Sequence, residues 1–130
     1  MPIQTQLSVF LKNKPGVMAR LCRSLAEVKI NILAICVSDT VDHAVVRLIV
    51  SEPVKARNLF EQTGVLVVET PVLALELPNQ PGVLETVARK LSRAGINIEY
   101  AYGTAGREGE GSLLIMRVDR LLKARQVLKA

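Results

Sequence analysis

Apolar residues change rhythm repeatedly along this chain, and each change predicts an element. In Gln4-Thr5-Gln6-Leu7-Ser8-Val9-Phe10-Leu11 the second half alternates, as a strand with one buried face should. Pro15 and Gly16 break it. From there Val17, Met18, Leu21, Cys22 and Leu25 recur at helical spacing and form one apolar stripe. Ile30 to Ser38 and the β-branched run Ala44 to Val50 read as two further strands. Pro53 opens a second helix through Leu59 and Phe60, because proline is tolerated in a first turn. Val65 to Glu69 reads as a fourth strand. The predicted order is β-α-β-β-α-β.

The same pattern is then written again. Asn13-Lys14-Pro15-Gly16-Val17 returns as Asn79-Gln80-Pro81-Gly82-Val83, and Ile30-Asn31-Ile32 as Ile96-Asn97-Ile98, both 66 residues later. Leu21 falls on Val87 and Leu25 on Leu91, so the apolar stripe of Val83, Leu84, Val87, Ala88 and Leu91 repeats as well. Lys55-Ala56-Arg57 returns as Lys123-Ala124-Arg125 at an offset of 68, which places a two-residue insertion in the glycine-rich stretch Gly103 to Gly111. That stretch is expected to be a hairpin loop with Arg107 and Glu110 exposed. The second copy's first helix should end at Gly95, whose counterpart is Lys29, so the first copy needs strain or another cap there.

The expected fold class is therefore α+β: two split βαβ (ferredoxin-like βαββαβ) units in tandem, over residues 1–70 and 71–130, with antiparallel sheets and helices on one face. Ala130 aligns with Gln62, so the second unit lacks its last strand. An unpaired edge invites another segment or chain. Val65 to Leu77 is nearly one strand-like run interrupted only by Thr70-Pro71, so hardly any linker joins the copies.

Composition narrows the function classes. The chain has 130 residues, 49% of them hydrophobic and 22% charged, which excludes disordered and fibrous classes. No apolar run reaches the roughly 18 residues of a membrane span. No basic-then-apolar leader begins the chain, and two cysteines form no disulfide framework, so a cytoplasmic location is expected. Cys22 and Cys36 lie within apolar patterns and read as core residues. The net charge of +5 is spread over both halves, as +3 and +2, and sits mostly on helix-like stretches, which reads as solvated outer faces. With 3% aromatic residues and no Trp, a base-stacking nucleic-acid surface is not expected. His43 is the only histidine, and neither a Gly-x-Ser-x-Gly nor a P-loop pattern occurs. No catalytic residue, metal site or cofactor is expected.

The repeated turn is the one feature with a chemical rationale for a ligand. It joins a strand to a helix, whose first N–H groups lack internal partners and carry the positive end of the dipole. A carboxylate fits there, and glycine lets it approach the backbone. Pro15 and Pro81 preorganise the turn, while Asn13 and Asn79 offer an amide that both donates and accepts. The same residues also suit a plain N-cap and tight turn. Asn31 and Asn97 either begin a strand or point an amide toward the turn. Asp39 and Asp42 suit a ligand's amino group or simply a polar hairpin.

Strand, Asn-x-Pro-Gly-Val, amphipathic helix, Ile-Asn-Ile, two strands and a helix together resemble the ACT domain, a small ligand-binding regulatory module. The doubled form, with Ser38-Asp39-Thr40 in one copy and Ile98-Glu99-Tyr100-Ala101-Tyr102 in the other, resembles small stand-alone tandem ACT proteins. The resemblance covers essentially the whole chain. It implies a non-enzymatic protein that binds a free amino acid near the strand–helix turns, where ACT units meet, and controls amino-acid metabolism. By position it carries over Asn13, Pro15, Gly16, Val17 and Met18 from the first turn and Asn79, Pro81, Gly82, Val83 and Leu84 from the second, beside Asn31, Asn97 and Asp39. Some serine-binding members place a His two residues before the Asn; here Leu11 and Leu77 stand there. A homodimer is expected. The alternative is a regulatory subunit of an amino-acid biosynthetic enzyme, with no ligand of its own.

Overall fold

A computed structural model describes residues 3–39, 43–104 and 110–129. The elements run β1 (Ile3–Lys12), α1 (Val17–Glu27), β2 (Ile32–Asp39), β3 (His43–Val50), α2 (Pro53–Gln62), β4 (Leu66–Pro78), α3 (Val83–Arg93), β5 (Ile98–Thr104), β6 (Gly111–Val118) and α4 (Leu121–Lys129). The predicted order is present twice, and no strand follows α4 among the described residues. Thr40, Val41, Asp42, Arg107 and Glu108 lie outside the described residues.

Two compact units form. One comprises Thr5–Thr70, with strand order β2-β3-β1-β4. The other comprises Pro71 onward together with Ile3 and Gln4, with strand order β1-β4-β6-β5. β1 and β4 therefore each give residues to both units. In the second unit, the edge left by its missing strand is occupied by the start of β1, where Ile3 packs against the core. β4 runs through Thr70-Pro71 without a break, and Pro71 is the residue at which it passes into the second unit.

Within each unit the pairings β1·β3 and β2·β3, and β4·β6 and β5·β6, are antiparallel. The first core gathers Leu7 and Val9 of β1, Val46, Leu48 and Val50 of β3, Leu21 and Leu25 of α1, and Ala56 and Phe60 of α2. The second gathers the matched Leu73, Leu75, Met116, Val118, Val87, Leu91 and Ala124. Burying each Leu stabilises its unit by about 1.5–3 kcal/mol, which is why the apolar stripes dictate the helices. β1 is more deeply buried than its alternation implies. Gln6 and Ser8, on the other face, are also buried, and Gln6 Nε2 donates to Ser8 Oγ at 3.4 Å. Buried polar groups need such partners. Cys22 and Cys36 are free thiols and only half-buried, because one flanks the helical stripe and the other lies on the outermost strand. Among the described residues no helix is long and apolar enough to cross a membrane.

Candidate functional site

Both turns fold alike. The Lys14 N–H donates to Lys12 O at 3.1 Å, that of Val17 to Lys14 O at 3.4 Å, and that of Arg20 to Gly16 O at 3.1 Å. In the second turn Gln80, Val83 and Thr86 repeat these bonds to Pro78, Gln80 and Gly82, at 3.0, 3.4 and 3.0 Å. The N-cap residues are Gly16 and Gly82, at φ 87° and 86°, a left-handed conformation that glycine adopts without a Cβ clash. The asparagines are thus not the caps. No side chain caps either helix, so among the described residues the second and third amides of α1, at Met18 and Ala19, and of α3, at Leu84 and Glu85, have no protein acceptor. Unmet donors at the positive end of a helix dipole suit a carboxylate. Glu85 stands in the first turn of α3 but is paired with Arg89.

The second turn borders a cavity of about 180 Å³. Asn79, Gln80, Val83 and Leu84 form one side, and Gly103 and Thr104 of β5 with Ser112 and Leu113 of β6 form another. The register explains the meeting: Pro78 pairs with Gly111 and Leu77 with Ser112, while Thr104 pairs with Leu113, so the ends of β5 and β6 lie beside the turn. The Asn79 N–H donates to Glu110 O at 2.7 Å and fixes the start of the turn, and Ser112 Oγ donates to Leu77 O at 3.1 Å. A Cβ at Gly103 would lie 2.7 Å from Leu113 O, so only glycine fits β5 against β6 at this point. Gly103, Thr104 and Ser112 escaped the sequence reading. The available signal was the pairing of the last strand residues with the strand that precedes the turn.

The other expected residues divide between two ends of the fold. Asp39 pairs with Ala44, and Ala44 with Leu11, so exposed Asp39 lies at the turn end of the first unit. Asn31 does not. Its N–H donates to Ser51 Oγ at 2.9 Å, and its carbonyl accepts from the Ser51 N–H at 2.9 Å, just beyond the far end of β3. Since His43 pairs with Lys12, eight strand residues, about 26 Å, separate Asn31 from the turn of its own unit. Asn97 is held in the same way by Asp119, whose Oδ1 accepts from its N–H at 3.1 Å. Within one unit these asparagines begin strands and do not meet the turn.

Elsewhere the polar chemistry is structural. Arg57 of α2 donates to Glu69 of β4 at 2.6 Å, and that hydrogen bond and charge hold its guanidinium above its ordinary pKa. Among the described residues no group of three His, Cys, Asp or Glu could hold a metal ion.

The comparisons with known proteins agree with this architecture. Protein BT0572 from Bacteroides thetaiotaomicron has a crystal structure with a TM-score of 0.92 and 35% sequence identity, over 98% of this chain and 87% of that one. The ligand-free regulatory subunit of aspartate kinase from Thermus thermophilus shares the fold at a TM-score of 0.72 and 18% identity, over 98% of this chain and 92% of that one. Its counterpart from Thermus flavus does so at 0.69 and 16%, over 98% and 93%. No curated protein matches the chain. The family model described as an ACT domain pair matches residues 1–130, and the chain belongs to that family.

Proposed function

We propose that this protein is a non-enzymatic regulator that senses a free amino acid at its strand–helix turns and so controls a step of amino-acid metabolism. The observation that carries this reading is the second turn. There unmet amides at the start of α3 and the cavity lined by Asn79, Thr104 and Ser112 offer donors for a carboxylate and polar groups for an ammonium. A volume of about 180 Å³, below the roughly 300 Å³ at which sites for drug-sized ligands begin, limits the ligand to a small one. The first turn supplies Asn13, Pro15, Gly16, Val17 and Met18 to the same chemistry, with Asp39 at the same end. Asn31 and Asn97 would reach a turn only on another ACT unit. The control step is linkage, in which a ligand shifts the protein by its differential affinity for two arrangements.

A thermal-shift screen of the twenty amino acids, followed by calorimetry, tests this. At a hundredfold excess over Kd, binding to the native state adds about 2.7 kcal/mol and moves Tm by several degrees. Asn79→Ala should weaken the positive hit about tenfold, by removing one hydrogen-bonding amide. No shift with any amino acid at millimolar concentration would overturn the reading.

A second reading has its own support. β2, outermost in the strand order, exposes Leu33, Ile35 and Val37 by 46, 43 and 52%. Such an edge suits strand addition by a second copy, giving a homodimer, or by an enzyme whose regulatory subunit this chain would be. The aspartate kinase subunits of the same fold are regulatory subunits by description. Co-purification of a stoichiometric enzyme, with no amino-acid response, selects the second reading.

A further inference from the structure

Beside the first turn, on the helix side of the sheet, lies a second and larger cavity of about 380 Å³. Leu11, Leu21, Phe60 and Val65 make an apolar wall, and Lys12, Lys14 and Arg20 line the same space. None of these three cations forms an ion pair or a side-chain hydrogen bond among the described residues. Among the described residues no Asp or Glu belongs to the lining. Of the first-turn residues that the amino-acid reading uses, Val17 belongs to the lining and Asn13, Pro15, Gly16 and Met18 do not, so the cavity adjoins the turn from the side of α1.

The repeat supplies an internal control. At the matched place the second unit has a cavity of about 260 Å³, again walled by apolar residues, Leu77, Val87 and Leu128 among them. Thr86 lines it where Arg20 lines the first, Pro78 and Gln80, the counterparts of Lys12 and Lys14, border the turn cavity instead, and Lys90 is the single cation among its described lining residues. The hollow therefore comes with the fold, whereas the concentration of positive charge belongs to the first unit alone. A volume of 380 Å³ lies at the lower end of the range for small-molecule sites, too small for a large coenzyme. Three cations with no ion pair among the described residues, around an apolar wall, fit an anionic head on an aliphatic tail. With no carboxylate among the described lining residues, an ammonium group would sit among like charges. We propose that the first unit binds a short aliphatic carboxylate that carries no amino group, in this hollow beside its turn.

Hexanoate, norleucine and hexanol share one tail and differ only in the head, so they test the assignment directly. In the intact protein, hexanoate should shift the methyl NMR signals of Leu11, Leu21 and Val65 saturably, and norleucine and hexanol should bind there about tenfold more weakly. Lys12→Gln combined with Arg20→Gln, both at exposed positions, should leave the fold intact by circular dichroism and weaken hexanoate about tenfold or more. The proposal is overturned if millimolar hexanoate leaves these methyls unmoved, if hexanol binds as tightly, or if the double variant binds hexanoate unchanged. Norleucine acting at the turns would instead move Val17, Val83 and Leu84, so failure here and failure of amino-acid sensing give different spectra.

Discussion

At the end of α1 the chain turns through Lys29 at φ 60°, and at the end of α3 it turns through Gly95 at φ 72°. The hydrogen bonds are the same: Ile30 N–H reaches Leu25 O at 3.0 Å, and Ile96 N–H reaches Leu91 O at 2.9 Å. A lysine thus accepts a conformation that costs a side chain about 1–2 kcal/mol, because Ile30 must enter the core beside Leu25. The two units agree wherever packing decides. They differ outside the cores: Val37 and Ala44 match Gly103 and Ser112 around the turns, and Lys12, Lys14 and Arg20 match Pro78, Gln80 and Thr86. Duplication has kept the architecture and released the chemistry. The second unit has opened its turn, and the first has charged its cavity.

The equivalence of the cores can be broken first. Leu25→Ala and Leu91→Ala remove side chains that are 1% and 0% exposed, and each should cost about 2–5 kcal/mol in urea unfolding. A cost below about 1 kcal/mol for one substitution, with the other inside that range, would mean that one core carries the fold. Next come the turns: Gly16→Ala and Gly82→Ala place a Cβ at φ 87° and 86° in open space. The conformational cost is therefore isolated, at about 1–2 kcal/mol in each, by the same measurement. The smallest effect sharpens the contrast between Lys29 and Gly95. Lys29→Gly relieves about 1–2 kcal/mol of strain against roughly 0.5–1 kcal/mol of added chain entropy, and should stabilise by about 0.5–1 kcal/mol. Gly95→Lys should do the opposite, and a common sign for both substitutions would refute the account.

Much of this was legible in the sequence because the physics behind it is local or repeated. Helical spacing at Val17, Met18, Leu21 and Leu25 fixes a buried stripe, and its recurrence 66 residues later exposed the duplication. The same alignment singled out Lys29 beside Gly95. What stayed hidden depends on which strand lies beside which. Gly103, Thr104 and Ser112 reach the second turn only through the register of β4, β5 and β6. Asn31 and Asn97 repeat as faithfully as the turns, yet the length of a strand carries them to the far end of their units. The cationic cavity needed α1 and α2 on one face before Arg20 and Phe60 could share a lining.

The start of β1 also bears on how the molecule assembles. Ile3 and Gln4 belong to the unit made otherwise of Pro71 and later residues, so its edge strand is the earliest described part of the chain to be synthesised. That unit cannot close until a segment separated from it by the whole of Thr5–Thr70 is brought to its edge. Such distant closure costs entropy that local helix formation does not, and it slows folding. The first unit is built wholly from Thr5–Thr70, whereas the second needs Ile3 and Gln4 together with residues from Pro71 onward. A cut at residue 70 would therefore not release two equal halves: the first half would keep all of its own unit, and the second would lose its edge.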